Sequence, residues 1–435
     1  MATEQAPEPV TENPAITVEE ATAVTAAPEV LARTTGEYFR AWYQRITNGE
    51  SGALPVIAGL IAIVIFFQIE RHVFLSTGNL VNLLEEATLY VMIGAAETFV
   101  LLLSEIDLSL GYGAGVAGFV IAELVAPPVN FPWWLGILGG LAVMALLGLL
   151  QGTLISKLGL PSFIVTLGGY LGFQGLMLEI ANVDKTAVGG TINIATDSPI
   201  NKLVNSNMPL WLDWAAMAFC LVLFALASLS KSRSRRAQGL TTKPLGVTLM
   251  TIALAAAGGI ALVLVCNANR GNLTPLRGMP WVIPFVLIVL TICSWMMSRT
   301  RTGRYIYAVG ANPEAARRAG IRVKWILTLG FIIAGVITGL AGLIYISEQG
   351  SMSVDIDGGG MVLYAVAAAV IGGTSLFGGR GRIFNSLLGG IVIATVYNGL
   401  DLMGVGTAVK YMVTAAVLIA AVALDAVVRR RATTR

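Results

Sequence analysis

The stretch LGVTLMTIALAAAGGIALVLVC, Leu245 to Cys266, carries no charged residue and matches the roughly 20 residues a helix needs to cross a bilayer. In lipid every backbone N–H and C=O must be satisfied within its own segment unless the strands close a barrel. Barrel strands would be short and alternating, and nothing in this stretch alternates. The stretch therefore reads as a spanning helix. Similar apolar segments run near 54–69, 87–103, 109–126, 133–156, 160–180 and 211–230, and again near 281–298, 325–346, 361–377, 383–403 and 409–428. The predicted fold is all-α: a polytopic membrane protein with about 12 transmembrane helices.

Composition agrees. Hydrophobic residues make up 56% of the chain and charged residues only 12%, about half the charge of a soluble domain. That leaves too little polar surface to coat a water-soluble globule of 435 residues. The net charge of +3 gives no reason to expect a nucleic-acid partner. Cys220, Cys266 and Cys293 lie in or at the end of apolar runs, without metal-ligand spacing, and His72 is the single histidine. No metal site is expected.

The placement of basic residues sets orientation. With the N-terminus inside, 22 of the 28 Lys and Arg residues fall on the cytoplasmic side, concentrated in the 231–243 and 299–324 loops and the C-terminal end. Only Arg71, Lys185, Lys202, Arg270, Arg277 and Lys410 fall outside. The expected topology is multi-pass in the cytoplasmic (inner) membrane with both termini cytoplasmic. Residues 1–32 are rich in Glu, Pro and Ala and lack Lys and Arg, which reads as a disordered acidic tail. Residues 33–50 mix Tyr38, Trp42 and Tyr43 with Arg33, Arg40 and Arg45, suiting an interfacial segment. The membrane-spanning domain is then expected over 51–428, followed by a basic cytoplasmic end over 429–435.

Three clusters interrupt the apolar runs. In GRYIYAVGANPEAARRAGI, Gly303 to Ile321, Asn312 suits an N-cap, Pro313 the first helical position and Glu314 the positive end of the dipole. Gly320 suits a left-handed stop. A helix of about two turns is expected between them, carrying Ala315, Ala316, Arg317 and Arg318. It reads either as a knob that docks into a soluble partner or as an ordinary basic loop. In SEIDLSLG, Ser104 to Gly111, Glu105 and Asp107 sit between two apolar runs. They either serve a transport pathway or, in the case of Asp107 and Ser109, cap the next helix. In VIGGTSLFGGRGRIF, Val370 to Phe384, the glycines Gly372, Gly373, Gly378, Gly379 and Gly381 are expected to break the helix and let backbones approach. The phosphate-binding pattern GxxxxGK[ST] is absent from the chain, as is any nucleophile–base constellation, so an enzyme is not expected.

Together with GLPSFIVTLGGYLGFQGLML (Gly159 to Leu178) and NGLDLMGV (Asn398 to Val405), these clusters resemble the monosaccharide branch of ABC-importer permeases. Four blocks stand in that family's order, at Ile106–Gly111, Pro161–Gly168, Gly303–Ile321 and Val370–Gly381. Ala369 stands where the family commonly has Cys. Glu105 before IDLS, and an extra pair of spans within 211–280, resemble the xylose-type permeases. The resemblance implies a type II ABC importer-like fold and a homodimer. It also implies a cytoplasmic ATP-binding subunit, which would hold ATP and Mg, and an extracytoplasmic sugar-binding protein. No cofactor is then expected in this chain. Asn312, Pro313, Glu314, Ala315, Ala316, Arg317, Arg318 and Gly320 become the candidate coupling residues. Glu105, Asp107, Ser109, Phe163, Thr166 and Asn398 become pathway or gate candidates. The rival reading is an ion-coupled secondary sugar transporter, for which Glu97 and Glu179 are the candidates singled out within the predicted spans.

Overall fold

The computed structural model describes residues 34–47, 54–183, 189–239, 244–271, 275–417 and 419. The acidic tail and the basic C-terminal end predicted from the sequence lie outside these residues. Within them, a helix occupies every apolar segment. In chain order these are α1 (Thr35–Thr47), α2 (Leu54–Glu70), α3 (Thr77–Leu102), α4 (Leu110–Val125), α5 (Trp133–Leu158) and α6 (Ser162–Val183). They continue with the short α7 (Pro199–Asn205), then α8 (Leu210–Ala237), α9 (Leu245–Asn267), α10 (Val282–Arg299), α11 (Arg301–Ala311) and α12 (Pro313–Arg318). The last are α13 (Val323–Gln349), α14 (Gly358–Ile371), α15 (Asn385–Leu402) and α16 (Thr407–Val417).

Among the described residues, six helices are long and apolar enough to cross a membrane: α5, α6, α9, α10, α13 and α8 over Leu210–Arg235. The chain is a polytopic membrane protein. Its helices carry exposed Leu138, Leu146, Leu150, Leu171, Phe219 and Leu226, side chains that suit lipid and would be a liability in water.

One feature departs from the all-α expectation. β1 (Thr191–Asn193) pairs antiparallel with β2 (Ser351–Ser353), with Ile192 opposite Met352. Both of those side chains are 2% exposed or less, so a two-stranded ribbon closes over apolar residues beside the end of α13. Three residues per strand are too few to show as alternation in the sequence.

Chain contacts define two units, Met1–Ser51 with Ala216–Ile260, and Gly52–Ala215 with Ala261–Arg435. In the first, Thr34 and Glu37 cap the start of α1 reciprocally, each backbone N–H donating to the other's side chain, a capping box. Tyr38 packs on Val247 there. This unit contains most of the extra pair of spans read from the sequence.

The second unit is organised around α3, which is buried almost without interruption from Ala87 to Leu102. It begins at Thr77, ten residues before the predicted span, because Ser76 accepts a hydrogen bond from Asn79 N–H and caps it there. α4, α13, α14 and α15 pack against it. Small residues allow the close approach, as is usual between membrane helices. A Cβ at Gly94 would lie 2.8 Å from the Ala368 Cβ, and one at Gly390 would lie 2.7 Å from the Val91 backbone nitrogen. On the other side, α5 and α13 share a hydrogen bond between the Ser156 and Thr328 hydroxyls, 2.8 Å apart.

Candidate functional site

The 299–324 loop holds two helices, one more than the sequence reading supplied. α11 follows directly on α10, and Asn312 both ends α11 and begins α12. The Asn312 backbone is extended, and its side-chain oxygen accepts from Ala315 N–H at 2.9 Å. Pro313 takes the first helical position. At the other end, Gly320 (φ +82°) turns left-handed. Its N–H donates to Arg317 C=O (2.9 Å), and Ile321 N–H donates to Ala316 C=O (3.0 Å). That pair of bonds is the Schellman closure. Glu314 binds Arg317 at 2.9 Å and Arg318 at 3.4 Å. These exposed pairs contribute little to stability; their effect is to organise the surface.

One coupling candidate is corrected. The sequence reading set Ala315 and Ala316 on one docking surface, but Ala315 is exposed while Ala316 is buried, 4% exposed. Successive residues on a helix point about 100° apart, and Ala316 faces the chain's own body. Asn312, Pro313, Glu314, Arg317, Arg318 and Gly320 remain on the exposed side.

Behind this surface, three backbone segments meet. A Cβ on Gly310, near the end of α11, would overlap the carbonyl oxygen of Leu102, the last residue of α3. That oxygen also accepts from Gly379 N–H at 3.0 Å. The Ser104 hydroxyl lies 3.0 Å from both Gly310 C=O and Phe377 C=O, and Ser104 itself is left-handed (φ +66°). Tyr307 OH donates to Gly381 C=O at 2.8 Å. The glycine-rich turn is thus the partner of α11 and of the end of α3.

Gly373, Gly378 and Gly379 have positive φ. Gly372 does not (φ −62°); it is required because a Cβ there would strike the Asn385 carbonyl. Gly310 and Ser104 were missed by sequence reasoning, although both lie within or beside the blocks that carry the resemblance.

The turn between α3 and α4 gathers most of the pathway candidates. Asp107, 3% exposed, accepts from Ser109 N–H (2.9 Å) and from the Ser109 hydroxyl (2.6 Å). Gln151 on α5 donates to that hydroxyl at 2.9 Å. Ser109 occupies the N-cap position of α4, but its side chain makes no cap bond. Asp107 therefore fixes the turn rather than capping the helix in the ordinary way. Thr166, fully buried at the start of α6, lies 3.3 Å from Ile106 C=O, and Glu105 bonds to Ser162. Burial pushes both the Glu105 and Asp107 carboxyls up, against the lowering effect of these hydrogen bonds. Phe163 is 54% exposed.

Asn398 belongs elsewhere. On α15 it accepts from Asn79 Nδ2 at 2.8 Å and donates to Glu86 Oε1 at 3.3 Å. Glu86 and Leu102 are 16 residues apart on one helix, so this network sits about 24 Å from the glycine junction. Because α3 and α13 are longer than the predicted spans, Glu85, Glu86 and Glu348 also lie within helices. The sequence reading singles out Glu97 and Glu179 and passes over Glu123, Asp213 and Asp401, which the predicted spans also contain.

A bundle of apolar helices around the buried α3, with a capped surface loop tied to the end of that helix by backbone contacts, is the build of a polytopic membrane protein. The chain belongs to the family described as the permease component of the branched-chain amino acid transport system, which it matches over residues 79–422. It is 34% identical to the xylose transport system permease protein XylH of Escherichia coli (strain K12), over 86% of this chain and 92% of that one. It is 31% identical to the D-allose transport system permease protein AlsC of the same strain, over 85% and 90%. The ribose import permease protein RbsC of that strain is 29% identical, over 85% and 92%. No solved structure matches the chain.

Proposed function

We propose that the chain is the transmembrane permease subunit of an ATP-driven importer that carries a monosaccharide, a pentose of the D-xylose type, across the inner membrane. The relatives named for xylose, allose and ribose transport support this reading. The distribution of basic residues supports twelve spans with both termini cytoplasmic. The working unit is two copies of the permease, with ATP-binding subunits on the cytoplasmic side and a sugar-binding protein on the other. ATP and Mg are held by the partner ATPase.

The observation that carries the proposal is the Gly310–Leu102–Gly379 junction. Movement of the ATPase pulls on the exposed face of Asn312–Gly320. Because α12 is capped at both ends and α11 touches the end of α3 at backbone distance, the displacement passes to the central helix rather than dissipating in a loop. Packed interfaces of this kind shift between discrete arrangements.

The test is uptake of D-xylose by vesicles containing the permease, its ATPase and its binding protein. The expected result is uptake that requires ATP hydrolysis and survives collapse of ion gradients. Buried Glu97 is the feature an ion-coupled carrier would use, and uptake driven by a proton or sodium gradient without ATP would establish that rival.

A further inference from the structure

Lys157, Arg317, Arg322 and Lys324 converge on one cleft of about 440 Å³ between α5, the end of α12 and the start of α13. Its apolar walls include Leu149, Ile321 and Trp325. On α5, Leu149, Thr153 and Lys157 recur every four residues and so share one face of the helix. Leu149 therefore stands about 12 Å along the helix axis from the charged end. Leu149 and Trp325 are 39% and 50% exposed, apolar surface of the kind that spanning helices turn to lipid. Deeper in, the Thr328 hydroxyl is already satisfied by Ser156 at 2.8 Å and by Gly152 C=O at 3.2 Å. The cleft is thus apolar along its length and cationic at one end.

That charge is largely uncompensated. Glu314 answers Arg317 at 2.9 Å, but no acidic residue lines the cleft. Lys157, Arg322 and Lys324 are exposed, and among the described residues none of them has an ion-pair partner. A general excess of Lys and Arg on one side of a membrane requires no such convergence. A free inorganic anion would leave the apolar walls unused, and an acidic peptide would press polar backbone against them. A phospholipid with an anionic headgroup matches both ends, its phosphate at the cations and an acyl chain along Leu149 and Trp325. Basic pockets between spanning helices recognise anionic headgroups in this way.

We propose that this cleft binds an anionic phospholipid, whose headgroup ties the end of α12 to α5 at the membrane surface. Arg317 lies on α12 and Ile321 just beyond it, so an occupied cleft braces that helix. The inference is independent of the cargo.

The test uses the purified full-length permease in detergent. Its melting temperature is followed on titration with dioleoyl phosphatidylglycerol, with dioleoyl phosphatidylcholine and inorganic phosphate as separate arms. A saturable rise is expected with phosphatidylglycerol alone. Lys157→Gln should weaken the apparent affinity about fivefold, and Arg322→Gln combined with Lys324→Gln about 25-fold. The control combines Lys231→Gln with Arg233→Gln on α8, which does not line the cleft. It removes the same charge and should weaken affinity less than about twofold, because distant exposed charges are screened. If the Arg322 and Lys324 variant fails to fold, Lys157→Gln on α5 decides alone. Equal stabilisation by phosphatidylcholine or by inorganic phosphate would overturn the lipid site. Equal weakening in the control would mark diffuse attraction to the surface and would also overturn it. Unchanged affinity in the cleft variants would overturn it too; if their co-purification with the ATP-binding subunit falls instead, the cleft belongs to that partner.

Discussion

Gly310 and Leu102 approach so closely that a Cβ on the glycine would overlap the leucine carbonyl oxygen. The same oxygen already accepts the Gly379 N–H at 3.0 Å. Three segments far apart in sequence therefore share one carbonyl, with no side chain between them that could yield. Gly310→Ala forces this junction apart, and overpacking of this kind costs about 1–3 kcal/mol. The expected outcome is ATP-driven uptake reduced at least tenfold with the protein still inserted in the membrane. Gly320→Ala is the comparison, since a Cβ there meets nothing and only the left-handed backbone is penalised, by about 1–2 kcal/mol. Uptake by Gly310→Ala equal to wild type would show that the junction does not carry coupling.

Ala315 and Ala316 separate docking from folding. Ala315→Asp places a charge on the exposed face and should leave the melting temperature near wild type. Its co-purification with the ATPase should fall at least tenfold, because an unpaired carboxylate in a desolvated interface costs several kcal/mol. Ala316→Asp buries the charge within the chain itself, so it should lower the melting temperature and yield before any partner is added. Intact co-purification and uptake in Ala315→Asp would exclude α12 as the docking element.

Asp107 gives a pH signature. Its folded-state pKa is raised by burial, so the folded protein favours the protonated acid. The corresponding stability is fully present below the unfolded value of about 4 and is lost as pH rises through the folded value. Asn can accept the same two bonds from Ser109 but does not titrate. Asp107→Asn should therefore flatten the fall in melting temperature above pH 4 and leave uptake near wild type. A large loss of uptake with an unchanged pH profile would instead identify Asp107 as a pathway group.

The Asn79–Asn398–Glu86 network should behave as a unit. Asn398→Leu leaves Asn79 and Glu86 without their partner, costing about 1–3 kcal/mol. A double-mutant cycle with Asn79→Ala should show coupling of about 0.5–3 kcal/mol. Strict additivity in unfolding measurements would mean that the 2.8 Å contact contributes nothing.

Cysteine labelling tests the topology in a background lacking Cys220, Cys266 and Cys293. A probe at Asp197 should react from outside intact cells, and one at Ser234 only after the cytoplasm is opened. The reverse at either site would break the twelve-span arrangement.

The apolar helices and the loop caps were legible in the sequence because both are local. A charge-free run such as Leu245–Cys266 must be helical in lipid whatever surrounds it. Asn312, Pro313 and Gly320 act on backbone groups within a few residues of themselves. Contacts between distant segments were not legible. The glycines of 372–379 read as breaks, but their partners, Leu102 and Gly310 among them, follow only from how the helices stack. Ala315 and Ala316 are identical in the sequence, and tertiary packing alone buries one and exposes the other. Asn398 looked like a companion of Asp107, yet it belongs to a network at the far end of α3. Tyr90, Tyr364 and Tyr397 are the extreme case: far apart in the sequence and each unremarkable alone, they bring their rings within 5.2–6.0 Å of one another, because non-local packing decides which side chains share a space.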